Sequence, residues 1–151
     1  MKKSLTIALL PLMGLFLAAQ PHAGSRVDSK DAFSADSSTV YFYRGSQFYR
    51  AGVNFTIRAN GEEICRLSNK RYLVYKALPG KVSFTSVAGG LNIPDKEKFD
   101  IELEAGKSYY IQCDVKTSFV ADRLEMTEVM PSTAKNKMEK LTADHCMRKA
   151  K

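Results

Sequence analysis

Apolar and polar residues alternate in short runs through the middle of this chain. In VNFTIRA (53–59), Val53, Phe55 and Ile57 fall on one face, with Asn54, Thr56 and Arg58 on the other. That period of two predicts a half-buried strand. EEICRL (62–67) returns after Asn60-Gly61, a pair suited to a type I′ hairpin turn because both central residues need φ > 0. KVSFTSVA (81–88) and KFDIEL (98–103) alternate in the same way, the second with Asp100, Glu102 and Glu104 on its outer face. TVYFYR (39–44) is apolar or aromatic on both faces, which predicts a strand covered on both sides. RYLVYKAL (71–78), KSYYIQCDVK (107–116) and FVADRLEMTEV (119–129) complete the set, although ADRLEM also fits a helical turn.

Turn residues punctuate these runs. GSQFYRAG (45–52) reads as a loop that presents Phe48 and Tyr49 between glycines. Asn69-Lys70, Pro79-Gly80, the 89–97 stretch and Glu104-Ala105-Gly106 mark further turns and loops. After Pro131-Ser132 the period changes. Ala134, Met138, Leu141 and His145 form one stripe, predicting a helix over 132–144 with Lys135, Lys137 and Lys140 facing solvent. A dozen helical residues are marginal alone in water, so the helix is expected to dock on the sheets. About eight strands at this spacing predict a mainly β fold: an antiparallel immunoglobulin-like or transthyretin-like β-sandwich of about 7–8 strands with one C-terminal helix.

The N-terminus changes the picture. Lys2 and Lys3 precede an apolar run from Leu5 to Ala19, broken by Pro11 and Gly14 and followed by small residues. This is the outline of a secretory signal peptide, too short for a span of ~20 residues. Cleavage after Ala19 or Ala23 both fit. The expected organisation is a signal peptide over 1–23, a flexible polar leader over 24–38, a β-sandwich over 39–130, and a C-terminal helix with a basic tail over 131–151. Localisation is then periplasmic or secreted. The formal charge is +7, and it falls to +5 without Lys2 and Lys3. Much of the rest lies in residues 132–151, where Lys135, Lys137, Lys140, Arg148, Lys149 and Lys151 oppose only Glu139 and Asp144. A basic terminus is not a basic face with stacking aromatics, so nucleic acid is not the expected partner. Weak contact of the tail with an anionic surface is compatible with it. Cys65, Cys113 and Cys146 form no CxxC or zinc pattern. In an oxidising compartment a disulfide is compatible with three cysteines and leaves one thiol over. Cys113 shares a face with Tyr109 and Ile111 and reads as a core residue. Cys146, in a polar tail, reads as the exposed thiol.

VYFYR, the Asn-Gly hairpin with ICRLSNKRYLVY, LPGKVSF and EAGKSYYIQCDV occur in an order that resembles a family of small exported bacterial proteins, many of them lipoproteins, carrying a domain of unknown function. ALPGKVSFT also resembles the Pro-Gly turn of PEGA-type surface domains. The resemblance covers about residues 39–145 and implies an exported β-sandwich. It implies no catalytic residue. Many such relatives carry a lipobox cysteine, whereas no cysteine lies near Ala18–Ala19 here, so no lipid anchor is expected.

Few side chains in the chain are spaced for catalysis or metal binding. His145-Cys146 lacks the further ligands or the base and orienter that a metal site or a nucleophile would need. Glu62-Glu63 and Asp100/Glu102/Glu104 have the carboxylates for hydrolysis or Ca²⁺, but strand-face spacing is also the place of solvated charge, and no EF-hand loop is present. Lys107 beside Gly106, and Gly89-Gly90, lack a phosphate-cradling loop. Tyr41, Tyr43, Tyr49, Tyr72, Tyr75, Tyr109 and Tyr110 suit sheet packing, and alternatively an aromatic recognition patch. Tyr109 or Tyr110 has the position of a corner tyrosine, bonding back to the backbone. No catalytic, cofactor or metal residue is assigned. The expected function is an exported, non-enzymatic envelope or periplasmic domain, structural or binding a protein or surface through an edge strand or the 45–52 loop. The alternative is a small secreted enzyme or inhibitor with an unrecognised site.

Overall fold

The computed structural model describes residues 36–89, 97–117 and 122–146. The expected signal peptide, the leader up to residue 35, the loop over 90–96 and the last five residues lie outside them.

Nine strands form two layers among the described residues. They are β1 (Ser38–Arg44), β2 (Phe55–Ala59), β3 (Glu62–Leu67), β4 (Arg71–Ala77), β5 (Gly80–Ala88), β6 (Phe99–Leu103), β7 (Ser108–Lys116), β8 (Arg123–Glu128) and β9 (Thr142–Ala143), with one helix, α1 (Pro131–Met138). One sheet runs β8-β7-β1-β4-β9 and the other β3-β2-β5-β6. The fold is thus mainly β and sandwich-like. Inward side chains from both sheets meet in one core: Val40, Phe42, Leu73 and Ile111 face Phe55, Ile57, Leu67 and Phe84. The Phe42 and Phe84 rings meet edge to face at 4.9 Å, an arrangement favoured by the ring quadrupole.

The hairpin of β2 and β3 turns on Asn60 (φ 50°) and Gly61 (φ 90°), with Ala59 opposite Glu62. Tyr109 is the corner tyrosine: the Glu104 N–H donates to its hydroxyl at 2.9 Å. The outer row of β6 is charged as expected, and Lys81 pairs with Asp100 and Lys107 with Glu104 there.

Three departures have physical causes. First, the sheets are not wholly antiparallel. β1 runs parallel to β7 and β4 parallel to β9. A parallel pair needs a long crossover; for β1 and β7 it is supplied by all the strands between them. Second, the helix ends at Met138, not 144. The Glu139 N–H donates to Lys135 O, Leu141 N–H turns back to Met138 O, and the chain then extends so that Asp144 N–H reaches Tyr72 O. The open edge of β4 captures the segment that helical periodicity assigned to α1. Third, Cys146 is not a free thiol. It is bonded to Cys65, 81 residues away, with the Cα atoms 5.9 Å apart. Cys113 is the free thiol and is buried.

The helix docks as its stripe predicts. Pro131 at its first position needs no N–H partner. Ala134 is fully buried and clusters with Tyr43 and Tyr110, and Met138, Leu141, Tyr41 and Tyr72 pack against that cluster. Tyr41 and Tyr110 stack at 4.8 Å. These tyrosines form a second, smaller core on the outside of the five-stranded sheet, which is why β1 is apolar on both faces.

Candidate functional site

Among the described residues, the loop between β1 and β2 carries the most exposed large apolar side chain, Phe48. It is built around Arg44, the last residue of β1. Strand alternation points Val40, Phe42 and Arg44 inward, so Arg44 reaches the open end of the sandwich fully buried. Its guanidinium lies 5.0 Å above the Phe55 ring. It donates to Val53 O at 2.7 Å, to Arg50 O at 2.8 Å and to Gln47 Oε1 at 3.3 Å. Burial pushes its pKa down, and the nearby Cys113 acts the other way. A guanidinium nonetheless stays charged in a protein, and here loop carbonyls rather than a carboxylate satisfy it. The loop must close around the charge to do so.

Gln47 fastens the other wall. Its N–H donates to Asn69 Oδ1 and Asn69 Nδ2 donates to its carbonyl, both at 3.0 Å. Its own Nε2 donates to Asp114 Oδ1 at 2.9 Å, and the Val115 N–H donates to its Oε1 at 3.3 Å. Arg50 takes a left-handed φ of 57° and pairs with Asp122 at 2.5 Å. Asp122 raises the Arg50 pKa. Between these fixed points the tip projects Phe48, wholly exposed at 102%, and Tyr49, exposed at 54%. The Arg50 guanidinium lies 5.4 Å from the Tyr49 ring. The arrangement offers an apolar and aromatic knob on a hydrogen-bonded base.

Residues 34–125 match the family described as "Protein of unknown function (DUF2846)". The chain belongs to this family. No curated protein matches the chain. The match to the unknown-function family includes the loop and its anchors Arg44, Gln47, Asn69 and Asp114. It stops short of α1, β9 and Cys146.

The other residues weighed from the sequence are scattered over this DUF2846 domain and its C-terminal extension. His145 is exposed beside the disulfide. Asp100 accepts from the Ser83 hydroxyl at 2.5 Å, which, with Lys81 close by, holds its carboxyl below the usual range. Glu63 pairs with Arg66 at 3.4 Å, and Glu104 accepts from Lys107 at 2.7 Å, raising the Lys107 pKa. Gly89 turns with φ 62°, and its carbonyl accepts from the Thr56 hydroxyl. Gly90 lies outside the described residues. Of the tyrosines, only Tyr49 is largely exposed. The Tyr43 hydroxyl donates to Gln112 Oε1 at 3.1 Å, and burial raises its pKa. Among the described residues no three His, Cys, Asp or Glu side chains come together as a metal set. No described helix is long and apolar enough to cross a membrane.

Sequence reading singled out Phe48 and Tyr49 but missed the base beneath them. The available clue was parity: Arg44 continues the inward register of Val40 and Phe42. A charged residue there needs partners from whatever chain follows.

Proposed function

We propose that this protein is an exported, non-enzymatic domain of the periplasm or cell envelope that binds a protein partner through the tip of the 45–52 loop. The observation that carries this reading is Phe48, wholly exposed at the end of a loop whose base is fastened by Arg44 and Gln47. A loop already held in place loses little conformational freedom on binding. A few aromatic and arginine anchors typically dominate interface energies, and Phe48, Tyr49 and Arg50 supply both types. Export is supported by the N-terminal pattern and by the Cys65–Cys146 disulfide, a bond that persists in oxidising compartments. A non-enzymatic role is supported by the carboxylates weighed for hydrolysis: Asp100 and Glu104 are engaged with Ser83, Lys81 and Lys107.

The test is capture from envelope extract by the chain lacking residues 1–23, compared with its Phe48→Ala/Tyr49→Ala form. A discrete protein retained by the first and lost by the second is the expected result. Capture indifferent to the double substitution overturns the loop as the contact element. Fractionation checks export: the protein should be released with the periplasm or medium and remain soluble after removal of membranes.

A further inference from the structure

We propose that the Cys65–Cys146 disulfide is a site of thiol–disulfide exchange, entered at Cys146 by an external dithiol, and that its opening releases the C-terminal segment 142–146 from the edge of β4.

The two sulfurs are unequally placed. Cys65 is an inward residue of β3, only 5% exposed, whereas Cys146 is exposed. They border an open cleft of about 420 Å³, lined also by Glu63, Ile64, Arg66, Ser68 and His145. Exchange requires a thiolate to reach one sulfur and expel the other. Cys146, the exposed residue of the two, offers the more open approach, so Cys65 is the leaving group. In the first step the dithiol's thiolate forms a bond to Cys146 Sγ, the Cys65–Cys146 bond breaks, and Cys65 departs as a thiolate that takes up a proton. In the second, the remaining thiol of the dithiol attacks its own sulfur in the mixed disulfide and expels Cys146. The dithiol leaves as a disulfide, having supplied two electrons and two protons.

The bond's position gives the reaction a consequence. β9 pairs with β4 over only two positions, Arg71 with Thr142 and Tyr72 with Ala143. The other ties are few. Thr142 N–H donates to Lys70 O at 3.4 Å and Asp144 N–H to Tyr72 O at 2.9 Å. The Asp144 carboxylate, 2% exposed, accepts from the Ser68 N–H at 2.7 Å and from its hydroxyl at 3.3 Å. The Arg71 guanidinium meets the Thr142 hydroxyl. The disulfide binds this short strap, which lies on the five-stranded sheet, to β3 of the other sheet. Without it, segments with so few bonds open locally at low cost, and the free edge of β4 extends over its whole length.

The purified protein tests this directly. A monothiol added under native conditions should trap a mixed disulfide on Cys146, located by peptide mapping. Trapping on Cys65 overturns the assignment. Native treatment with dithiothreitol should then reduce the bond, and hydrogen exchange should show loss of protection at the Ser68, Thr142 and Asp144 amides while β1 and β7 stay protected. Reduction that occurs only in denaturant, or reduced protein with those three amides still fully protected, overturns the proposal. A Cys146→Ser variant should show the same pattern of exchange without reductant; protection equal to the oxidised protein counts against release.

Discussion

Gly61 is a position where a side chain is excluded by conformation alone. Its φ is 90°, and a Cβ built there would meet nothing within 4 Å. Gly61→Val should therefore cost backbone strain on the order of 1–3 kcal/mol, with no clash at its Cβ. Gly45 is the control. It too has open space around its Cβ position, without a positive φ, so Gly45→Ala should be neutral or stabilising by up to about 1 kcal/mol. Thermal melts of the pair separate the two; equal midpoints would mean that the Asn60-Gly61 turn does not hold its primed geometry. At this scale the sequence was legible wherever a residue type carries its own conformational preference. Asn60-Gly61 and the corner Tyr109 are such cases. Arg44 was not, because its role depends on carbonyls of Arg50 and Val53, which are set by the fold of the loop and by no local preference.

The helix shows how far periodicity reaches and where it stops. The spacing of Ala134, Met138 and Leu141 anticipated a docked face: Ala134 clusters with Tyr43 of β1 and Tyr110 of β7, and Met138 and Leu141 pack against that cluster. The same spacing carried the helix too far, because a pattern in one segment says nothing about an open strand edge elsewhere. Strand boundaries were legible for a related reason. A period of two marks burial on one face, and both sheets bury one face on the shared core. The docked helix makes a prediction. Met138→Asp places a carboxylate against the cluster of Tyr43, Tyr110 and Ala134 and, since Met138 is half-buried, should destabilise by about 1–3 kcal/mol, below the range for a fully buried methionine. Neutralising Lys135 and Lys140, both exposed, should shift the melting midpoint little, since exposed charges contribute at most about 1 kcal/mol. A membrane-surface role for the helix predicts the reverse: an intact fold in Met138→Asp and loss of binding to anionic vesicles in the lysine variants. Melts and vesicle sedimentation on both sets distinguish the two.

Across the whole molecule the three cysteines divide the labour. Cys65 and Cys146 join the two sheets through the C-terminal strap, a pairing invisible to sequence spacing because only the fold brings β3 and residue 146 together. Cys113, fully buried on β7 between the sheets, was legible from its alternation with Tyr109 and Ile111. Burial pushes its thiol pKa far up, and Asp114 adds to the effect. The sign of the consequence follows from linkage. In the unfolded chain this thiol ionises near its ordinary value of about 8.5, while in the fold it stays protonated to much higher pH. Below pH ~8.5 both states hold the proton, and burial of the neutral thiol contributes its full stability. Above it the unfolded state alone loses the proton, so stability falls as pH rises, by up to about 1.4 kcal/mol per pH unit from this group. Other groups titrate in the same range, so the measurement is a difference. Urea unfolding from pH 7.5 to 10 should show wild type losing stability more steeply than Cys113→Ala, even though the variant starts lower because of the space left in the core. Parallel pH profiles would mean that the Cys113 thiol is open to ionisation in the folded protein. In that case alkylation of native protein at pH 9 should modify it as readily as in the unfolded chain.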